Sequence, residues 1–527
     1  MRTVYKHTVV VGIDGMGTFN RFCNTPNMDR IFENHAKTYK ALSMDPTISA
    51  ENWAAMLLGA NPVVHRYTNS SIGRVRNTNE KLPSIFKRIK DAMPEAYLAS
   101  YPAWGAINYG PIEEHLDIER FKGRFLPDIP LCDEILKCIE KKPNFLFVQF
   151  EEVDSAGHHS VYGKEEHLAK IEQSDMLLGK IYDAYEKAGI IEDTLFIAIT
   201  DHGGIRNGHG GFTDEEKYVF MAAAGKFVPK GEIGYARTKD IAAIVLYSLG
   251  LDVPEYDENG FSAQVPDGIF PEVKGTYKVP VQKEIVIETK ETPDYKGENG
   301  LCAFIPDKNI KAAFYFDNNT LDATGKNKTI EHNVVKYYSQ GIYSSRGELG
   351  RTGYITLPDL KFGENSFTLS AWLRNDSSID EPPAICGTKD WYWRNRNEKG
   401  FMFSMRARSS MFVIGNGNSH LEIITAFPED VADGWIHLAV SVDREKNELK
   451  FYHNFKLANT VPLSEEYRID MDTDYTFTVG NDGPGTYNNE KYDLIFNMDD
   501  LFIFNKAFGT EDMEALRRYY NFKSEIE

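Results

Sequence analysis

The sequence predicts an α/β domain with a mostly parallel sheet flanked by helices, followed by an all-β antiparallel jelly-roll sandwich. Up to about residue 265, compact apolar runs alternate with segments of helical spacing. From about residue 311, apolar and polar residues alternate with a period of two. The first pattern is typical of strands buried on both faces, and the second of half-buried strands. We therefore expect domains at 1–265 and 311–527, joined by a linker at 266–310.

The predicted elements of the first domain follow from three apolar runs and two amphipathic segments. The runs at 7–14, 144–150 and 193–200 are short and continuously apolar, as expected for buried strands. The segments 165–189 and 238–255 have helical spacing and end at Gly or Pro. Strands that alternate with helices favour a parallel sheet.

The linker and the second domain are distinguished by composition. Residues 266–310 are rich in Pro, Gly, Lys and Glu, which is typical of a linker. Beyond them, short strand-like runs are separated by Gly, Asn and Asp turns. That spacing predicts an antiparallel sandwich.

Composition excludes several functional classes. The 527 residues carry a formal net charge of −19, which argues against a broad electrostatic grip on nucleic acid or an anionic membrane. The five cysteines show no close pairing pattern, so neither a disulfide scaffold nor a zinc knuckle is expected. The chain shows no signal peptide and no apolar run of membrane-span length. We expect a soluble, cytoplasmic protein with no membrane partner; the oligomeric state is left open.

Aspartate and histidine residues follow the ends of several predicted strands. In an open α/β sheet, ligands bind outside the carboxyl ends of the strands, so these residues are expected to converge. One such Asp is usually a turn former or cap, but four clusters, three of them flanked by glycine, are hard to explain as turns. Asp and His are zinc ligands, and six of them can hold two ions about 4 Å apart. The six residues are Asp14, Asp154, His158, Asp201, His202 and His209.

The stretch "DPTISAENWAAMLLG" at 45–59 places Ser49 before an apolar helical run. One interpretation makes Ser49 a helix N-cap. The other makes its hydroxyl a nucleophile at the positive end of a helix dipole. The nearby set of metal ligands favours the catalytic interpretation.

Together these motifs resemble the type I phosphodiesterase/nucleotide pyrophosphatase branch of the alkaline phosphatase superfamily. The resemblance covers residues 7–255 through "IDGMG", "PTISAENWAAMLLGANPVVHRYTNSS", "DSAGHH", "TDHGG" and "GHGG". It implies an alkaline-phosphatase-like fold and a hydrolase acting on phosphoric ester bonds, most closely a phosphodiesterase. Two zinc ions are the implied cofactors, manganese could occupy the same ligands, and a small-molecule phosphate ester is the implied substrate.

The resemblance also implies a role for each matched residue. Ser49 matches the nucleophile, which forms a covalent phospho-enzyme. Asn69 matches a donor to a non-bridging phosphate oxygen, although an Asn in "YTNSS" could also be a plain turn residue. The implied ligands are Asp154, His158 and His209 for one zinc, and Asp14, Asp201, His202 and Ser49 for the other.

Two departures from the family pattern bear on the substrate. The phosphodiesterase members usually carry Thr as nucleophile, whereas Ser is also used by phosphomonoesterases. Where nucleotide-cleaving members carry an aromatic residue and a Pro, this chain has Ala50 and Glu51. Nucleotide specificity is therefore in doubt, and Glu51 could favour a cationic group on the substrate.

Three alternatives stay open at this point. A phosphomonoesterase, or a sulfate or phosphonate ester hydrolase, would use the same ligand set. The sulfatase case is weak, because "SAENW" lacks the required Pro and Arg. From another class, the chain could be a carbohydrate-binding protein whose α/β half is only a scaffold.

Aromatic residues suggest further contacts in each half. Tyr101 and Trp104, in "SYPAWGAINYG", could wall a substrate pocket or could simply pack in the core. The second half resembles laminin-G/concanavalin A-like domains, which implies a carbohydrate ligand and a possible calcium ion. Exposed aromatics such as Trp391, Tyr392 and Trp393 could stack on a sugar or line the catalytic cleft, and an interdomain contact is the alternative.

Overall fold

The computed structural model describes residues 3–520, apart from 70, 211–212, 280–290, 340–344, 351–352, 375–381, 407, 429–433 and 489–493. The chain divides into two compact units, Met1–Pro280 and Val281–Glu527, and the division lies inside the predicted linker. Phe270 is buried in the core of the first unit and Leu301 in a cluster of the second. The domain limits at 265 and 311 stay predictions. Among the described helices, none is long and apolar enough to cross a membrane.

The first unit is built on one eight-stranded sheet, with strand order β4-β3-β5-β1-β6-β7-β2-β8. Strand β7 pairs antiparallel with both β6 and β2, and the other described pairs are parallel. The mostly parallel α/β class is therefore confirmed. The strands are β1 His7–Ile13, β2 Ala36–Leu42, β3 Leu98–Pro102, β4 Glu119–Arg120, β5 Phe145–Phe150, β6 Thr194–Ile199, β7 Tyr218–Ala224 and β8 Gly231–Glu232.

Two apolar cores, containing residues from alternate positions along β1, cover the two faces of this sheet. Val10 belongs to one core, and Val9 and Val11 to the other, as expected for a strand buried on both faces. The helices that supply these cores are α1 Pro26–Phe32, α2 Ser49–Leu58, α3 Pro62–His65, α4 Ile85–Ala92, α5 Asp128–Ile139, α6 Glu152–Ser160, α7 Glu165–Lys187, α8 Asp214–Lys217 and α9 Ile241–Ser248.

Two helix predictions meet different outcomes. The segment 165–189 forms α7, Glu165–Lys187, close to its predicted limits. The segment 238–255 is shorter than predicted, because it consists of a 3-10 turn at Thr238–Asp240 and then α9, Ile241–Ser248. Gly250, with φ of 77°, takes a left-handed conformation just after α9 and marks its true end.

The second unit consists of two antiparallel sheets, which confirms the predicted sandwich class. One sheet has the order β10-β13-β22-β15-β16-β17-β18, and the other β11-β12-β23-β14-β19-β20-β21, with β9 also paired to β23. The strands are β9 Ile310–Phe314, β10 Ile330–Asn333, β11 Lys336–Ser339, β12 Ser345–Gly350, β13 Gly353–Leu357, β14 Phe367–Arg374, β15 Ala384–Gly387, β16 Gly400–Arg406, β17 Ser409–Gly415, β18 His420–Ala426, β19 Ile436–Asp443, β20 Glu448–His453, β21 Lys456–Pro462, β22 Phe477–Val479 and β23 Ile495–Phe504.

Alternate residues of β14 divide between two apolar clusters of this unit. Leu369 and Leu373 lie in the core between the sheets, whereas Trp372 packs in a second cluster with Leu516. Two helices supply that second cluster, so one face of the second sheet is covered by helix. They are α10 Leu301–Phe304 and α11 Thr510–Tyr519.

Candidate active site

Three neighbouring parallel strands bring the predicted ligands together. Strands β5, β1 and β6 lie side by side in register. Asp14 directly follows β1, and Asp201 comes two residues after the last residue of β6. Asp154 lies in the first turn of α6, which begins two residues after β5 ends. The carboxyl ends of these strands meet at one edge, where an open α/β sheet holds its ligands.

The first group of ligands, called here the buried cluster, comprises Asp14, Asp201 and His202. All three side chains are essentially inaccessible to solvent. His202 Nε2 lies 3.5 Å from Asp14 Oδ1 and 3.2 Å from Asp201 Oδ2. These same two carboxylate oxygens accept no hydrogen bond from the described residues. Buried oxygens that converge without donors are the arrangement expected where a cation binds.

The second group, called here the open cluster, comprises Asp154, His158 and His209. The Nε2 atoms of the two histidines lie 3.1 Å apart. His158 Nε2 is 3.3 Å from Asp154 Oδ2, and His209 Nε2 is 3.8 Å from Asp154 Oδ1. His158 is exposed, so this cluster is accessible from solvent. The structure thus brings together the two groups of ligands predicted from the sequence.

Backbone carbonyls orient all three histidines in the same way. The Nδ1 atoms of His158, His202 and His209 lie 2.7, 2.9 and 2.8 Å from the carbonyl oxygens of Asn207, Gly203 and Thr47. A carbonyl can only accept, so each Nδ1 carries the proton. Each Nε2 is therefore the nitrogen that faces its cluster, which is how ligating histidines are held.

The two clusters are adjacent, and Ser49 lies beside one of them. The rings of His202 and His209 stack with centroids 3.8 Å apart. Ser49 Oγ lies 3.0 Å from His202 Nε2. Ser49 is the first residue of α2, while Ile48 occupies the cap position and makes no side-chain cap. The N-cap interpretation of Ser49 is therefore wrong, and its hydroxyl is directed to the buried cluster instead.

Asn69 lies at the same helix N-terminus. Its Oδ1 accepts a hydrogen bond of 3.0 Å from the backbone N–H of Ala50, and its side chain is exposed. The side-chain oxygen is thus engaged with the turn that carries Ser49. An Asn whose oxygen is held in this way has its amide N–H groups left to donate.

A second Asn, Asn52, fixes the turn before Ser49. Its Oδ1 accepts hydrogen bonds of 2.7 Å from the Met44 N–H and the Thr238 hydroxyl. Its Nδ2 donates to the carbonyls of Pro46 and Ile48 at 3.3 and 3.1 Å. Asn52 is fully buried, and its polar side chain forms hydrogen bonds with the backbone of the turn that precedes Ser49.

The electrostatics of the clusters favour bound cations. Burial, and then the charge of Asp154, raises the pKa of Asp14 to about 7. Burial and the charge of Asp14 raise the pKa of Asp201. Burial lowers the pKa of His202 to about 4, so this ring is neutral near pH 7 and available as a ligand. Carboxylates that repel one another in a buried site are relieved by a divalent ion, so the residues fit a two-metal centre.

In the open cluster, burial disfavours the charged forms of Asp154 and His158. The ion pair between these two side chains has the larger effect on their pKa values. Despite burial, the hydrogen bond to His158 holds the pKa of Asp154 well below its usual range. Asp154 in turn raises the pKa of His158 to about 9. Burial and the neighbouring His202 lower the pKa of His209. A metal ion would replace the proton on His158.

Three residues that donate hydrogen bonds to the candidate ligands were not predicted from the sequence. Trp53 Nε1 and Gln149 Nε2 donate to Asp14 Oδ2 at 2.7 and 2.9 Å, and the Tyr162 hydroxyl donates to Asp154 Oδ1. Gln149 was detectable as the one polar residue in an apolar strand. Trp53 lies four residues after Ser49, on the same side of α2. For Tyr162, the sequence offers no comparable signal.

Two glycines permit the close packing around Asp14. A Cβ on Gly12 would lie 2.5 Å from the Trp53 ring. A Cβ on Gly15, which has φ of 67°, would lie 2.6 Å from Asp154 Oδ1. Only glycine fits at either position without displacing a ligand or its support.

The three residues predicted to contact the substrate are more buried than expected. Glu51 is 2% exposed, so it is not a solvated helix-start residue. Tyr101 is buried in strand β3, not in a loop, and its hydroxyl donates to Glu119. Trp104 is half-buried, packs against the core, and its backbone N–H donates to the side chain of Gln149 at 3.0 Å. None of the three has a described contact with either cluster.

The expected exposed aromatic in the second unit is also buried. Trp391 is inaccessible, and its Nε1 donates to the Pro382 carbonyl at 3.0 Å. Tyr392 is half-buried. Trp391 therefore cannot stack on a sugar in this conformation.

The fold and the clusters define the first unit as a mostly parallel α/β unit with six candidate metal ligands at one edge of its sheet. Residues 77–216 match the family model of type I phosphodiesterase / nucleotide pyrophosphatase. Residues 349–513 match that of the concanavalin A-like lectin/glucanases superfamily. The resemblance predicted for each half is confirmed. The first match contains Asp154, His158, Asp201, His202 and His209, whereas Asp14 and Ser49 precede it.

Curated relatives match parts of the chain. A 2,3-bisphosphoglycerate-independent phosphoglycerate mutase of Campylobacter jejuni subsp. doylei is 30% identical over 132 residues, which is 24% of this chain and 25% of the mutase. The chain thus spans about a quarter of that relative. The non-toxic nonhemagglutinin type C of Clostridium botulinum C phage is 24% identical over 211 residues, covering 38% of this chain and 15% of its own length.

Solved structures give weaker matches. Murine ectonucleotide pyrophosphatase / phosphodiesterase 5 in complex with AMP matches 48% of this chain and 97% of its own, at 12% identity and a TM-score of 0.42. The botulinum neurotoxin serotype C1 binding domain matches 41% of this chain and 53% of its own, at 18% identity and a TM-score of 0.33.

Replacing Trp53 by Phe tests the support of Asp14. The variant keeps the ring packing but loses the N–H that donates to Asp14 Oδ2. We expect metal affinity to fall about 10–100-fold, as is typical when the partner of a ligand is removed. Zinc titration of the purified variant measures this. The matched control is Trp391→Phe, a buried tryptophan of the other unit, and equal affinities in the two variants would contradict the assignment.

The pH dependence of metal binding tests the raised pKa values. Since the pKa of Asp14 is about 7 and that of His158 about 9, protons occupy these ligands in the metal-free protein at neutral pH and below. Metal must displace them, so affinity should rise with pH and binding should release protons. Calorimetric titration in two buffers of different ionisation enthalpy counts the protons. His158→Ala should release fewer, and no release near pH 6 would contradict the analysis.

Proposed function

We propose that this protein is a metal-dependent phosphoesterase, and most closely a phosphodiesterase, that uses Ser49 as nucleophile and two zinc ions. The observation that carries the proposal is the position of the Ser49 hydroxyl, 3.0 Å from the ligand His202 and at the N-terminus of α2. A helix N-terminus favours a bound phosphate group. The family-model match to type I phosphodiesterase / nucleotide pyrophosphatase supports the same reaction class.

The charge of the site agrees with an anionic substrate. The three ligand carboxylates carry three negative charges when ionised, and the three neutral histidines add none. Two divalent ions held by Asp14, Asp201 and His202, and by Asp154, His158 and His209, would leave a net charge of +1. When bound, such ions lower the pKa of the nucleophile and neutralise charge at phosphorus.

The chain's own residues supply the remaining steps. Ser49 Oγ forms a bond to phosphorus while the bond from phosphorus to the leaving alcohol breaks on the opposite face. The Asn69 amide donates to a non-bridging oxygen, where negative charge develops. Water then cleaves the phosphoserine ester, which restores Ser49. The fixed turn around Asn52 keeps the hydroxyl in place through both steps.

A second candidate is transfer of the phosphoryl group from Ser49 to another hydroxyl instead of water. The 30% identity to phosphoglycerate mutases over 132 residues favours it. The two reactions share the first step and differ in the acceptor. Inorganic phosphate or a phosphomonoester released in proportion to substrate would identify hydrolysis.

Three points stay predictions: zinc as the bound metal, a carbohydrate ligand of the second unit and a cytoplasmic location. The oligomeric state stays open. Manganese suits the same Asp and His donors, because metal availability decides as much as ligand type. Rates measured with zinc and with manganese in turn would distinguish the two.

Replacing Ser49 by Ala should abolish turnover while metal binding persists. We expect a loss of about 10⁴-fold or more, which is typical of a removed nucleophile. The assay compares bis-p-nitrophenyl phosphate with p-nitrophenyl phosphate, using zinc-loaded protein. Ser49→Thr, the residue common in phosphodiesterases, is the conservative control and should keep measurable activity.

The outcomes of this assay are distinct. A preference for the diester supports a phosphodiesterase, and a preference for the monoester moves the protein to the phosphomonoesterases. Turnover by Ser49→Ala equal to that of the wild type would contradict the nucleophile assignment. No turnover of either ester by protein with two bound metals would contradict the whole proposal.

Replacing Asn69 by Ala removes the proposed donor to the phosphate. We expect kcat to fall about 10²–10³-fold, as for other donors to developing negative charge. Zinc content should be unchanged, because Asn69 is not a ligand. Asn79→Ala, an exposed Asn of the following segment, is the control. A fall in zinc content that matches the fall in kcat would instead indicate a structural role.

A further inference from the structure

A buried carboxylate outside the two clusters contacts the helix that carries two ligands of the open cluster. Asp128 is the first residue of α5 and is inaccessible to solvent. Its Oδ1 accepts a hydrogen bond of 2.9 Å from the backbone N–H of Glu151, and its Oδ2 accepts one of 3.1 Å from that of Glu152. Asp128 therefore binds the N-terminus of α6 although it belongs to a different helix.

Helix α6 needs such a partner at its N-terminus. It has nine residues, Glu152–Ser160, and Glu151 in its cap position makes no side-chain cap. The first N–H groups of a helix have no acceptor inside the helix, and a helix this short is marginally stable by itself. The two oxygens of Asp128 satisfy two of these N–H groups. A carboxylate is also favoured there by the helix dipole.

The contact between α5 and α6 is reciprocal. Glu152 Oε1 accepts a hydrogen bond of 3.1 Å from the backbone N–H of Asp128. Glu152 Oε2 accepts from Lys170 Nζ at 2.6 Å and from Gln173 Nε2 at 2.8 Å, and both of these residues belong to α7. Each carboxylate thus binds the first turn of the other's helix, and α7 holds the second carboxylate in place.

The position of α6 decides the position of two ligands of the open cluster. Asp154 lies in the first turn of α6, and His158 follows four residues later on the same face of the helix. This spacing places His158 Nε2 3.3 Å from Asp154 Oδ2. His209 lies outside α6, so a shift of the first turn of α6 would move Asp154 and His158 relative to it.

We propose that Asp128 is a positioning residue of the candidate metal centre, which fixes the N-terminus of α6 and so holds Asp154 and His158 in place for one metal ion. This inference rests on the two-metal centre of the proposed function. It applies to the open cluster alone, because the ligands of the buried cluster follow strands β1 and β6 and none of them lies in α6.

Zinc titration of the full chain against a chromophoric chelator tests the role of Asp128. The wild type, stripped of metal, should bind two zinc ions. His158→Ala removes a ligand of the open cluster, so the zinc ion that it weakens more is assigned to that cluster. Asp128→Asn replaces one acceptor oxygen by an amide NH₂ group that faces a backbone N–H. We expect it to weaken the same zinc ion about 10-fold, as for the loss of a helix cap, and to leave the other within about twofold.

Two control variants separate positioning from a general loss of stability. Asp133→Asn changes an exposed aspartate of the same helix and should alter neither zinc affinity. Ser84→Ala removes the cap of α4, where the Ser84 side chain accepts from the Lys87 N–H at 3.2 Å, and should lower Tm while both zinc affinities persist. Weakening of zinc binding in Ser84→Ala equal to that in Asp128→Asn would overturn the proposal.

The remaining outcomes distinguish the role of Asp128 from the metal centre itself. Wild-type affinity for both zinc ions in Asp128→Asn, or equal weakening of both ions, would overturn the positioning role and leave the two-metal centre intact. A wild type that binds no zinc would overturn the two-metal centre, and the positioning role with it. Asp128→Ala removes both acceptor oxygens and should weaken the zinc ion of the open cluster more than Asp128→Asn does.

Discussion

The first unit depends on one electrostatic constraint, the mutual repulsion of three carboxylates at the ends of three neighbouring strands. Asp14, Asp154 and Asp201 lie close enough for each to influence the pKa of another. Such a group is stable only with protons or cations among the carboxylates. The three histidines direct Nε2 inward because carbonyls hold Nδ1, and this arrangement favours bound cations. The geometry of the sheet edge is therefore that of a candidate metal centre.

Helix α2, which carries the proposed nucleophile Ser49, is held against this site by hydrogen bonds from two of its residues. Trp53 ties α2 to Asp14, while Asn52 ties the preceding turn to Met44 and Thr238. The hydroxyl of Ser49 is thus placed by residues that themselves contact a ligand or its neighbours. A site fixed in this way needs little rearrangement when a substrate arrives, and preorganisation of this kind is a large part of catalysis.

The sequence by itself determined the fold class of both halves and predicted the two groups of candidate ligands that the structure brings together. It could do so because strand periodicity is local, and because residues after parallel strands must meet at one edge. Helix α7 was predicted for the same reason. Helix α9 ends just before Gly250, in agreement with the prediction that Gly and Pro end this helix.

Only the tertiary structure decided how Ser49, Glu51 and Trp391 are used. Ser49 directs its hydroxyl to His202 because Ile48, not Ser49, occupies the cap position. Glu51 and Trp391 are buried, although their sequence neighbourhoods resemble exposed segments. The hydrogen bond from Gln149 to Asp14 joins residues more than a hundred positions apart. Contacts of that kind are set by packing between elements, which no local pattern encodes.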